Sequence, residues 1–435
     1  MQEVVKKIVS ILNVIIFLLL APYLILYAQG KLYSLNKKSI IETGGIFLQS
    51  QQKNLEIYLQ GQKIGKIGLV PSSFFCRNLY PKNYLLEIKK PGYIPIYFKV
   101  DIETGIVKQF YDILLLKEKI NFSPIGENIQ NIKLFPEDLV LAEKIDQKKH
   151  FLFLDQKDLK EFYSTDNTST ELIDFDFLEK KSLFKIQERN YLFLDLASNK
   201  NIPLSFTKNL TKISLGPNNN IIYLEKNNLL IRNLDSNRET IISREAVNFY
   251  LKKNILYVFT NNGFLLEYNF DNESKTIINK KPINNPEIDF SIEKINKFLL
   301  LIRGDGLYVL EDGIFKKIFK DVQDYKISFG ENGLILKSGN EIWVGRLNKS
   351  QSNIDFYFLD RISSNKIDFY WATNNNVILI ANNIIKLFYL NKTEDIILLA
   401  GIKEIPEGKI IYHQKSKNLY LLEKDGQLFI SETIF

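Results

Sequence analysis

The sequence predicts a mainly β protein with a single N-terminal transmembrane helix, a small antiparallel β-sandwich and then a seven- or eight-bladed β-propeller. Three observations support this prediction. They are an uncharged apolar run near the N-terminus, dense short strand patterns over 39–119, and a repeat that fills 120–435. The predicted organisation is therefore a tail over 1–7, an anchor over 8–28, a linker over 29–38, the sandwich and the propeller.

The apolar run extends from Ile8 to Ala28 and contains no charged residue. A helix rises about 1.5 Å per residue, so a run of this length crosses a hydrocarbon core of about 30 Å. Tyr23 and Tyr27 stand near its far end, where aromatic side chains favour the membrane interface. A cleaved signal peptide is the alternative, but its only candidate motif, Leu26-Tyr27-Ala28, has a bulky residue where cleavage favours a small one. We interpret the run as a retained anchor.

The orientation of the anchor depends on what flanks it. The flanking lysines are Lys6 and Lys7 before the run, and Lys31, Lys37 and Lys38 after it. These charges do not distinguish the two sides of the membrane. A short N-terminal tail before a large body favours a cytoplasmic N-terminus. The prediction is a single-pass protein of the cell membrane whose C-terminal domains are extracytoplasmic.

The composition and charge of the chain exclude some classes of function. The chain has 435 residues and one cysteine, Cys76, so no intramolecular disulfide can form and stability must come from core burial. The net charge is +7, and the lysines are scattered along the chain. A nucleic-acid groove needs clustered Lys and Arg with interleaved aromatic residues, so no nucleic-acid partner is predicted.

Short strand patterns fill 39–119 and are separated by Gly and Pro. They are GIFLQS, NLEIYLQG, YLLEIKKPGY, IPIYFKVDI and YDILLL, and they predict the antiparallel sandwich. Gly61 and Gly65 are expected to supply turn conformations, and Pro91-Gly92 fits a type II turn. Three tyrosines are expected to bury their rings in the small core: Tyr58, Tyr84 and Tyr93. Cys76 is expected to be a half-buried small hydrophobe.

These residues resemble a PEGA domain. The resemblance rests on Tyr58-Leu59-Gln60-Gly61, Ile64-Gly65, Leu79 to Ile88, and Lys90-Pro91-Gly92-Tyr93. It includes the anchor with its exit, Tyr27-Ala28-Gln29-Gly30, and the entry to the first strand, Thr43-Gly44-Gly45-Ile46. The name-giving tetrapeptide is replaced by Gln52-Lys53-Asn54-Leu55, and the family's "PGEY" turn is replaced by Pro81-Lys82-Asn83-Tyr84. The resemblance implies a membrane-anchored bacterial protein with a propeller-like C-terminal region, as in small AT-rich lineages.

The remainder of the chain is organised by a repeat of two apolar strands around a polar turn. Its clearest copies are 220–231, 255–266, 299–310, 334–345, 377–388 and 419–430. A further short strand precedes several copies, at 212–216, 247–251, 288–292, 326–330 and 367–371. With weaker copies at 150–164 and 191–206, the spacing is about 38 residues, which suits a four-stranded propeller blade. The unit over 198–227 is short, so one blade is expected to lack a strand.

The ring is predicted to close through its ends. The chain finishes with a strand over Gln427 to Ser431, which should complete a blade with a strand from near Asn121 to Leu141. Two aromatic stretches, 356–360 and 368–372, are assigned to inner strands. Core packing is favoured for both over a sugar- or peptide-binding face.

No catalytic, cofactor or metal site is predicted. The two histidines, His150 and His413, stand at predicted strand starts, and no metal-ligand motif or phosphate-binding loop occurs. Asp305 and Asp425 precede glycines in hairpin turns, which favour Asp-Gly for backbone reasons rather than for calcium binding. The predicted function is therefore a non-enzymatic binding or scaffolding protein of the cell envelope, with the bilayer bound through 8–28.

The predicted partner is an envelope protein or polysaccharide that binds the propeller. The alternative is an exported propeller enzyme that acts on envelope glycans as a lyase or hydrolase. That alternative requires carboxylates, Arg and Tyr with shifted pKa values in the central channel.

Overall fold

The computed structural model describes residues 2–34, 39–68, 70, 72–135, 138–155, 158–328, 330, 332–348, 353–363, 367–390, 396–403 and 405–435. The last part of the predicted linker, 35–38, which includes Lys37 and Lys38, lies outside them. The described chain is mainly β, with one apolar helix at its N-terminus. Both features are as predicted.

The helix α1 extends over Gln2–Ala28. Its segment Val9–Ala28 is long and apolar enough to cross a membrane, a property that a signal sequence shares. A short hairpin follows directly, with β1 over Lys31–Ser34 and β2 over Ser39–Glu42. Its two strands are antiparallel and pair with each other alone.

The N-terminal β module contains the next seven strands, which form two sheets. They are β3 Gly44–Gln49, β4 Leu55–Leu59, β5 Gln62–Ile67, β6 Ser73–Leu79, β7 Asn83–Lys89, β8 Ile96–Asp101 and β9 Val107–Phe110. One sheet has the order β5-β4-β7-β8 and is antiparallel, and the other has the order β6-β3-β9. In the second sheet β3 pairs antiparallel with β6 and parallel with β9, so the module is not entirely antiparallel as predicted.

Two turn assignments in the module have different outcomes. Gly92 adopts a φ of 77°, and the Tyr93 N–H donates to the Lys90 carbonyl at 3.1 Å, as the predicted Pro-Gly turn requires. The turn role predicted for Gly65 is wrong, because Gly65 lies inside β5. A β-carbon there would overlap the ring of Phe74, so the glycine admits a close contact rather than a turn.

The predicted burial of the tyrosines and of the last strand also needs correction. Tyr84 is buried, but Tyr58 lies half-buried on the solvent side of β4, where its hydroxyl donates to Glu56 Oε2 at 2.9 Å. Leu55, Ile57 and Leu59 occupy the core side of that strand, because side chains alternate between its faces. YDILLL (111–116) is not a regular strand. It is a segment without regular secondary structure in which 113–116 are fully or almost fully buried.

The repeat region forms eight four-stranded sheets in the described residues, which we number I to VIII. Sheet I contains β11 Ile129–Phe135, β12 Leu139–Ile145, β13 Lys149–Asp155 and β14 Asp158–Thr165. Sheet II contains β15 Glu171–Asp176, β16 Lys181–Gln187, β17 Asn190–Asp195 and β18 Lys200–Ser205. Sheet III contains β19 Leu210–Gly216, β20 Asn220–Glu225, β21 Asn228–Asn233 and β22 Glu239–Ser243. Sheet IV contains β23 Ala246–Lys252, β24 Ile255–Thr260, β25 Leu265–Asn269 and β26 Ser274–Ile277.

The remaining four sheets follow the same order. Sheet V contains β27 Phe290–Ile295, β28 Phe298–Arg303, β29 Gly306–Glu311 and β30 Ile314–Lys320. Sheet VI contains β31 Asp324–Ile327, β32 Gly333–Ser338, β33 Glu341–Asn348 and β34 Asn353–Arg361. Sheet VII contains β35 Ile367–Thr373, β36 Asn376–Ala381, β37 Ile384–Leu390 and β38 Ile396–Lys403. Sheet VIII contains β39 Lys409–His413, β40 Asn418–Leu422, β41 Leu428–Ser431 and, from earlier in the chain, β10 Phe122–Gly126.

Sheets I to VII are antiparallel meanders, sheet VIII is antiparallel with β10 added beside β41, and the set is propeller-like. The six clear repeat copies fall on the second and third strands of sheets III to VIII, as predicted. The two weaker copies were placed one strand too late, since 150–164 and 191–206 are the third and fourth strands of sheets I and II. That shift explains the apparent short unit over 198–227. The prediction of a missing strand there is wrong, because sheet III has all four.

Successive sheets contact one another through side chains, and no hydrogen-bonded ladder joins one described sheet to the next. Phe151 and Phe184 bring sheets I and II together with ring centroids 4.8 Å apart. Phe319 and Trp343 do the same for sheets V and VI at 5.7 Å. Strand β39 of sheet VIII contacts both β11 of sheet I and β35 of sheet VII. The predicted pairing of the last strand is present, because β41 pairs antiparallel with β10.

The segment 111–117, which we call the connecting segment, joins the module to the repeats within one hydrophobic core. The Gln52 side chain hydrogen-bonds both backbone groups of Leu115, accepting from its N–H at 2.7 Å and donating to its carbonyl at 2.9 Å. The Tyr111 N–H donates to the hydroxyl of Tyr389 on β37 at 3.1 Å, and the Lys117 N–H donates to the Ile434 carbonyl at 3.0 Å. The module and the repeats are therefore packed together rather than joined by an exposed linker.

Candidate binding cleft

Three sheets share a cleft of about 1350 Å³. We call it the cleft. Its walls are the start of β11 in sheet I, the start of β35 with the end of β36 and the β36–β37 turn in sheet VII, and the start of β39 with the β40–β41 turn in sheet VIII. Residues from three separate repeats thus meet at the end of the sheets where β11, β35 and β39 begin. Its lining is mostly polar, and it includes Asn128, Gln130, Asn131, Asn382, Asn383 and Glu423.

Two oppositely charged side chains from adjacent first strands line the cleft. Asp368 is the second residue of β35, and Lys409 is the first residue of β39. Both residues are exposed to solvent within the cleft, and the strands that carry them, β35 and β39, are in contact. The Lys409 ammonium donates to Asn131 Oδ1 at 3.1 Å, which links sheets VIII and I.

Burial perturbs the titration of these groups. It raises the pKa of the Asp368 carboxyl above its usual range, although Lys326 and Lys409 act in the opposite direction. It also lowers the pKa of the Lys409 ammonium, against the effect of Asp368. The surrounding protein therefore disfavours the charged form of each group.

Lys326 extends the charged group along the next first strand, β31. Its ammonium lies 3.9 Å from the ring centroid of Tyr370, a cation–π contact with a buried aromatic side chain. Burial lowers the pKa of Lys326, opposed by Asp324, Asp368 and Asp138. The first strands of sheets VI, VII and VIII therefore present Lys326, Asp368 and Lys409 in sequence.

The rim of the cleft is formed by exposed charges. Lys424 and Glu407 form an ion pair of 2.6 Å, and both side chains are largely exposed. Asp425 accepts from the Gln427 N–H at 3.0 Å and so stabilises the β40–β41 turn, in the backbone role predicted for it. The Lys424–Glu407 pair contributes little to stability, because ion pairs in contact with water are weak.

The two histidines lie in different sheets and are not brought together. His150 is in β13, with Nδ1 2.6 Å from Glu161 Oε2 and Nε2 3.0 Å from Asp146 Oδ1. Burial acts to lower its pKa, but these two carboxylates raise it overall. His413 closes β39 rather than starting a strand as predicted, and its Nδ1 lies 2.7 Å from Ser416 Oγ.

The other candidate residues have structural partners. Asp305 accepts from Arg303 at 3.0 and 3.2 Å and from the Tyr308 hydroxyl at 2.7 Å. Cys76 is half-buried against the module core, as predicted, and burial raises the pKa of its thiol. In the part of the chain that the structure describes, no three His, Cys, Asp or Glu side chains are grouped closely enough to hold a metal ion.

The two aromatic stretches differ from each other. In 368–372 the aromatic rings are buried, as predicted, and Asp368 alone lines the cleft. The stretch 356–360 was assigned to an inner strand, and this is wrong, because it lies in β34, the last strand of sheet VI. Phe358 there is exposed and contacts Trp343 at 5.5 Å between ring centroids.

Sequence reasoning did not identify the charged residues of the cleft or the residues that join the two regions. Asp368 and Lys409 stand at the starts of apolar strands, where one polar residue carries no periodic signal. Gln52 lies in the tetrapeptide where the sequence departs from the PEGA pattern, and only the structure relates it to Leu115. The signal that could have identified the cleft is the recurrence of a charged residue at the start of the first strand of successive repeats, as in Asp368 and Lys409.

No protein-family model matches the chain, and no curated protein matches it. The PEGA resemblance therefore stays a prediction. Among solved structures, Hsv2p of Kluyveromyces lactis is 12% identical with a TM-score of 0.45, covering 63% of this chain and 98% of that one. BamB of Moraxella catarrhalis is 10% identical with a TM-score of 0.44, covering 73% of this chain and 99% of that one. The β-propeller domain of Cps50 (Swd1) of Myceliophteria thermophila is 10% identical with a TM-score of 0.40, covering 72% and 100%. Because these TM-scores and identities are low, the description of the fold rests on the sheets of this chain alone.

Proposed function

We propose that the chain is a membrane-anchored, extracytoplasmic binding protein of the cell envelope. In this proposal α1 is retained in the membrane, the N-terminal β module (39–119 as predicted, PEGA-like) stands next to it, and sheets I to VIII are the blades of an eight-bladed propeller. The contact of sheet VIII with both sheets I and VII, and the pairing of β10 with β41, support closure of the ring.

The observation that carries the binding function is the cleft. It is large enough to enclose several side chains or sugar rings of a partner, and its charges line a concave surface rather than a flat one. Its polar lining, with amide side chains and both signs of charge, suits a polar partner such as a protein segment or an envelope polysaccharide. Loops at one end of a propeller are free for such contacts, because the strand edges are protected within the blades.

The test is site-specific photo-crosslinking in intact cells. A photoreactive phenylalanine analogue replaces Asn383 in the cleft, and Leu178, an exposed side chain in sheet II, is the control position. We expect a discrete crosslinked species from position 383 that the control does not give, and its loss in the Asp368→Asn, Lys409→Gln double variant. An identical crosslinking pattern from both positions would argue against the cleft as the binding site.

Topology is tested separately. Protease added to intact cells should remove a C-terminal epitope without lysis if the body is extracytoplasmic. Protection until lysis would reverse the orientation and indicate a cytoplasmic scaffold.

An enzyme acting on envelope glycans is the second candidate, and Asp368 is the observation that favours it. A carboxyl group whose pKa is raised in a recessed cleft fits a general acid. Glycan turnover that Asp368→Asn abolishes, with binding retained, would support this function. Binding that depends on Asp368 without any turnover supports the binding protein.

A further inference from the structure

Four exposed apolar side chains lie on two short segments beside the exit of the helix. Tyr33 and Ile40 belong to the β1–β2 hairpin, and Ile106 and Val107 to the start of β9. All four are exposed, with Tyr33 at 51% and Ile40 at 53% of full accessibility. We call these four residues the exit patch.

The exit patch is tied to the helix by short hydrogen-bonded links. Gly30, with a φ of 71°, ends the turn that follows α1, and its carbonyl accepts from the Thr43 N–H at 2.8 Å and from the Thr43 hydroxyl at 2.6 Å. The Thr43 carbonyl in turn accepts from the Gly105 N–H at 3.0 Å. The hairpin and the loop that carries Ile106 and Val107 are thus held at the end of the helix.

The register of the hairpin fixes how far Tyr33 and Ile40 lie from its base. Lys31 pairs with Glu42 at the base, and Tyr33 pairs with Ile40 two residues further along. Two residues of strand span about 7 Å. The polar layer between hydrocarbon and water is roughly 5–8 Å thick on each side of a bilayer. A hairpin that leaves the helix along the membrane surface therefore keeps Tyr33 and Ile40 within this layer.

The chemistry of the patch matches that layer. Tyrosine and aliphatic side chains are favoured at the boundary between hydrocarbon and headgroups, because the ring is apolar and the hydroxyl remains hydrated. Lys31 and Lys108 flank the patch and bind Glu42 and Glu103. Their long stems allow the ammonium groups to reach lipid phosphates.

We propose that the exit patch seats the N-terminal β module on the bilayer, with lipid headgroups and the adjoining acyl chains as its partner. This proposal rests on the membrane anchoring of the proposed function. Because the module shares one core with the repeats through the connecting segment, seating the module also fixes the orientation of the repeats relative to the membrane. The body is then held in one pose rather than tethered freely.

The test uses the full chain in phosphatidylcholine vesicles whose acyl chains carry bromine near the headgroup, a short-range quencher of tryptophan fluorescence. The variant Tyr33→Trp is compared with Tyr97→Trp, because Tyr97 is equally exposed at 51% but lies on β8, away from the helix exit. The wild-type chain, whose Trp343 and Trp371 lie in the repeats, gives the baseline. We expect loss of most of the added fluorescence for Tyr33→Trp and little loss for Tyr97→Trp.

Two outcomes overturn the proposal, and they are distinguishable from failure of the anchor. Equal, weak quenching of both variants, in protein that alkaline carbonate does not extract, would leave the anchor intact and remove the exit patch from the membrane. A disulfide-linked dimer of Tyr33→Cys in a Cys76→Ser background, without quenching, would assign the patch to a second copy of the chain. Extraction by alkaline carbonate would instead show that α1 is not a membrane anchor, and both proposals would fail.

Discussion

The two joints of the N-terminal β module differ in kind. Towards the repeats, the module shares a continuous apolar core, and the connecting segment is hydrogen-bonded on both sides. Towards the helix, it is joined through Gly30 and Thr43 and a hairpin with exposed side chains. The comparison indicates that the module and the repeats unfold as one unit, whereas the hairpin at the helix exit opens independently.

The largest expected effect is at the joint with the repeats. Leu116 is fully buried in the shared core, and its carbonyl accepts from the Ile94 N–H at 2.9 Å. Leu116→Ala should lower the free energy of unfolding by about 2–5 kcal/mol, because it removes buried methyl groups and leaves a cavity. Chemical denaturation of the detergent-solubilised chain measures this loss. Hydrogen exchange should show the module and the repeats losing protection together.

The matched control is Leu178→Ala, since Leu178 is a largely exposed leucine of sheet II. It should change the free energy of unfolding by no more than about 0.5 kcal/mol. Separate transitions for the module and the repeats in the wild-type chain would contradict the shared core.

Gln52→Ala tests the hydrogen bonds that hold the same joint. The variant leaves the buried N–H and carbonyl of Leu115 without their partner, which should cost about 1–3 kcal/mol of stability. The control is Gln60→Ala, in which an exposed amide with one long contact of 3.3 Å to the Asn83 carbonyl is removed. Equal losses for the two variants, measured by the same denaturation, would mean that Gln52 does not hold the connecting segment.

The two regions also differ in how much the sequence predicts of them. In the repeats, apolar strands recur at a regular spacing, so six of the hairpins and the β10–β41 pairing could be predicted from the pattern. The weaker copies at 150–164 and 191–206 were placed one strand late, because every strand of a meander looks alike once its turn residues are lost.

In the module, the structure depends on individual hydrogen bonds between residues far apart in the chain, and such contacts leave no periodic pattern in the sequence. YDILLL reads as a strand by its apolar side chains, but its backbone groups bond to scattered partners, among them Gln52, Tyr389 and the Gln49 carbonyl, and form no continuous ladder with one strand. The charged residues of the cleft are similar. Asp368 and Lys409 are far apart in sequence and meet only because sheets VII and VIII are adjacent.

Tyr389 makes the stability of the joint between the module and the repeats depend on pH. Burial raises its pKa to about 12, and its hydroxyl accepts from the Tyr111 N–H. Below pH 10 the phenol is protonated in both the folded and the unfolded chain. Between pH 10 and 12 the unfolded chain releases this proton while the folded chain retains it, so the stability contributed by Tyr389 falls as the pH rises.

Tyr389→Phe should therefore be less stable than the wild type by about 1 kcal/mol at pH 7, through the lost hydrogen bond. Between pH 9 and 12 the difference in free energy of unfolding should move by up to about 2 kcal/mol in favour of the variant, because the variant has no phenol to ionise at this position. Denaturation across this range measures both effects, with Tyr80→Phe, at an exposed position of the module, as the control. A constant difference over that range would show that Tyr389 titrates alike in both states.

The smallest expected effect on global stability is at the joint with the helix. Thr43→Val keeps the shape of the side chain but removes the hydroxyl that donates to the Gly30 carbonyl. We expect faster hydrogen exchange at the β1–β2 amides and a nearly unchanged unfolding midpoint, because local opening of an exposed hairpin does not require the shared core to unfold. Thr43→Ser, which retains the hydroxyl, should restore slow exchange. A fall in the midpoint as large as that of Gln52→Ala would mean that the hairpin belongs to the same cooperative unit as the repeats, and the contrast between the two joints would no longer hold.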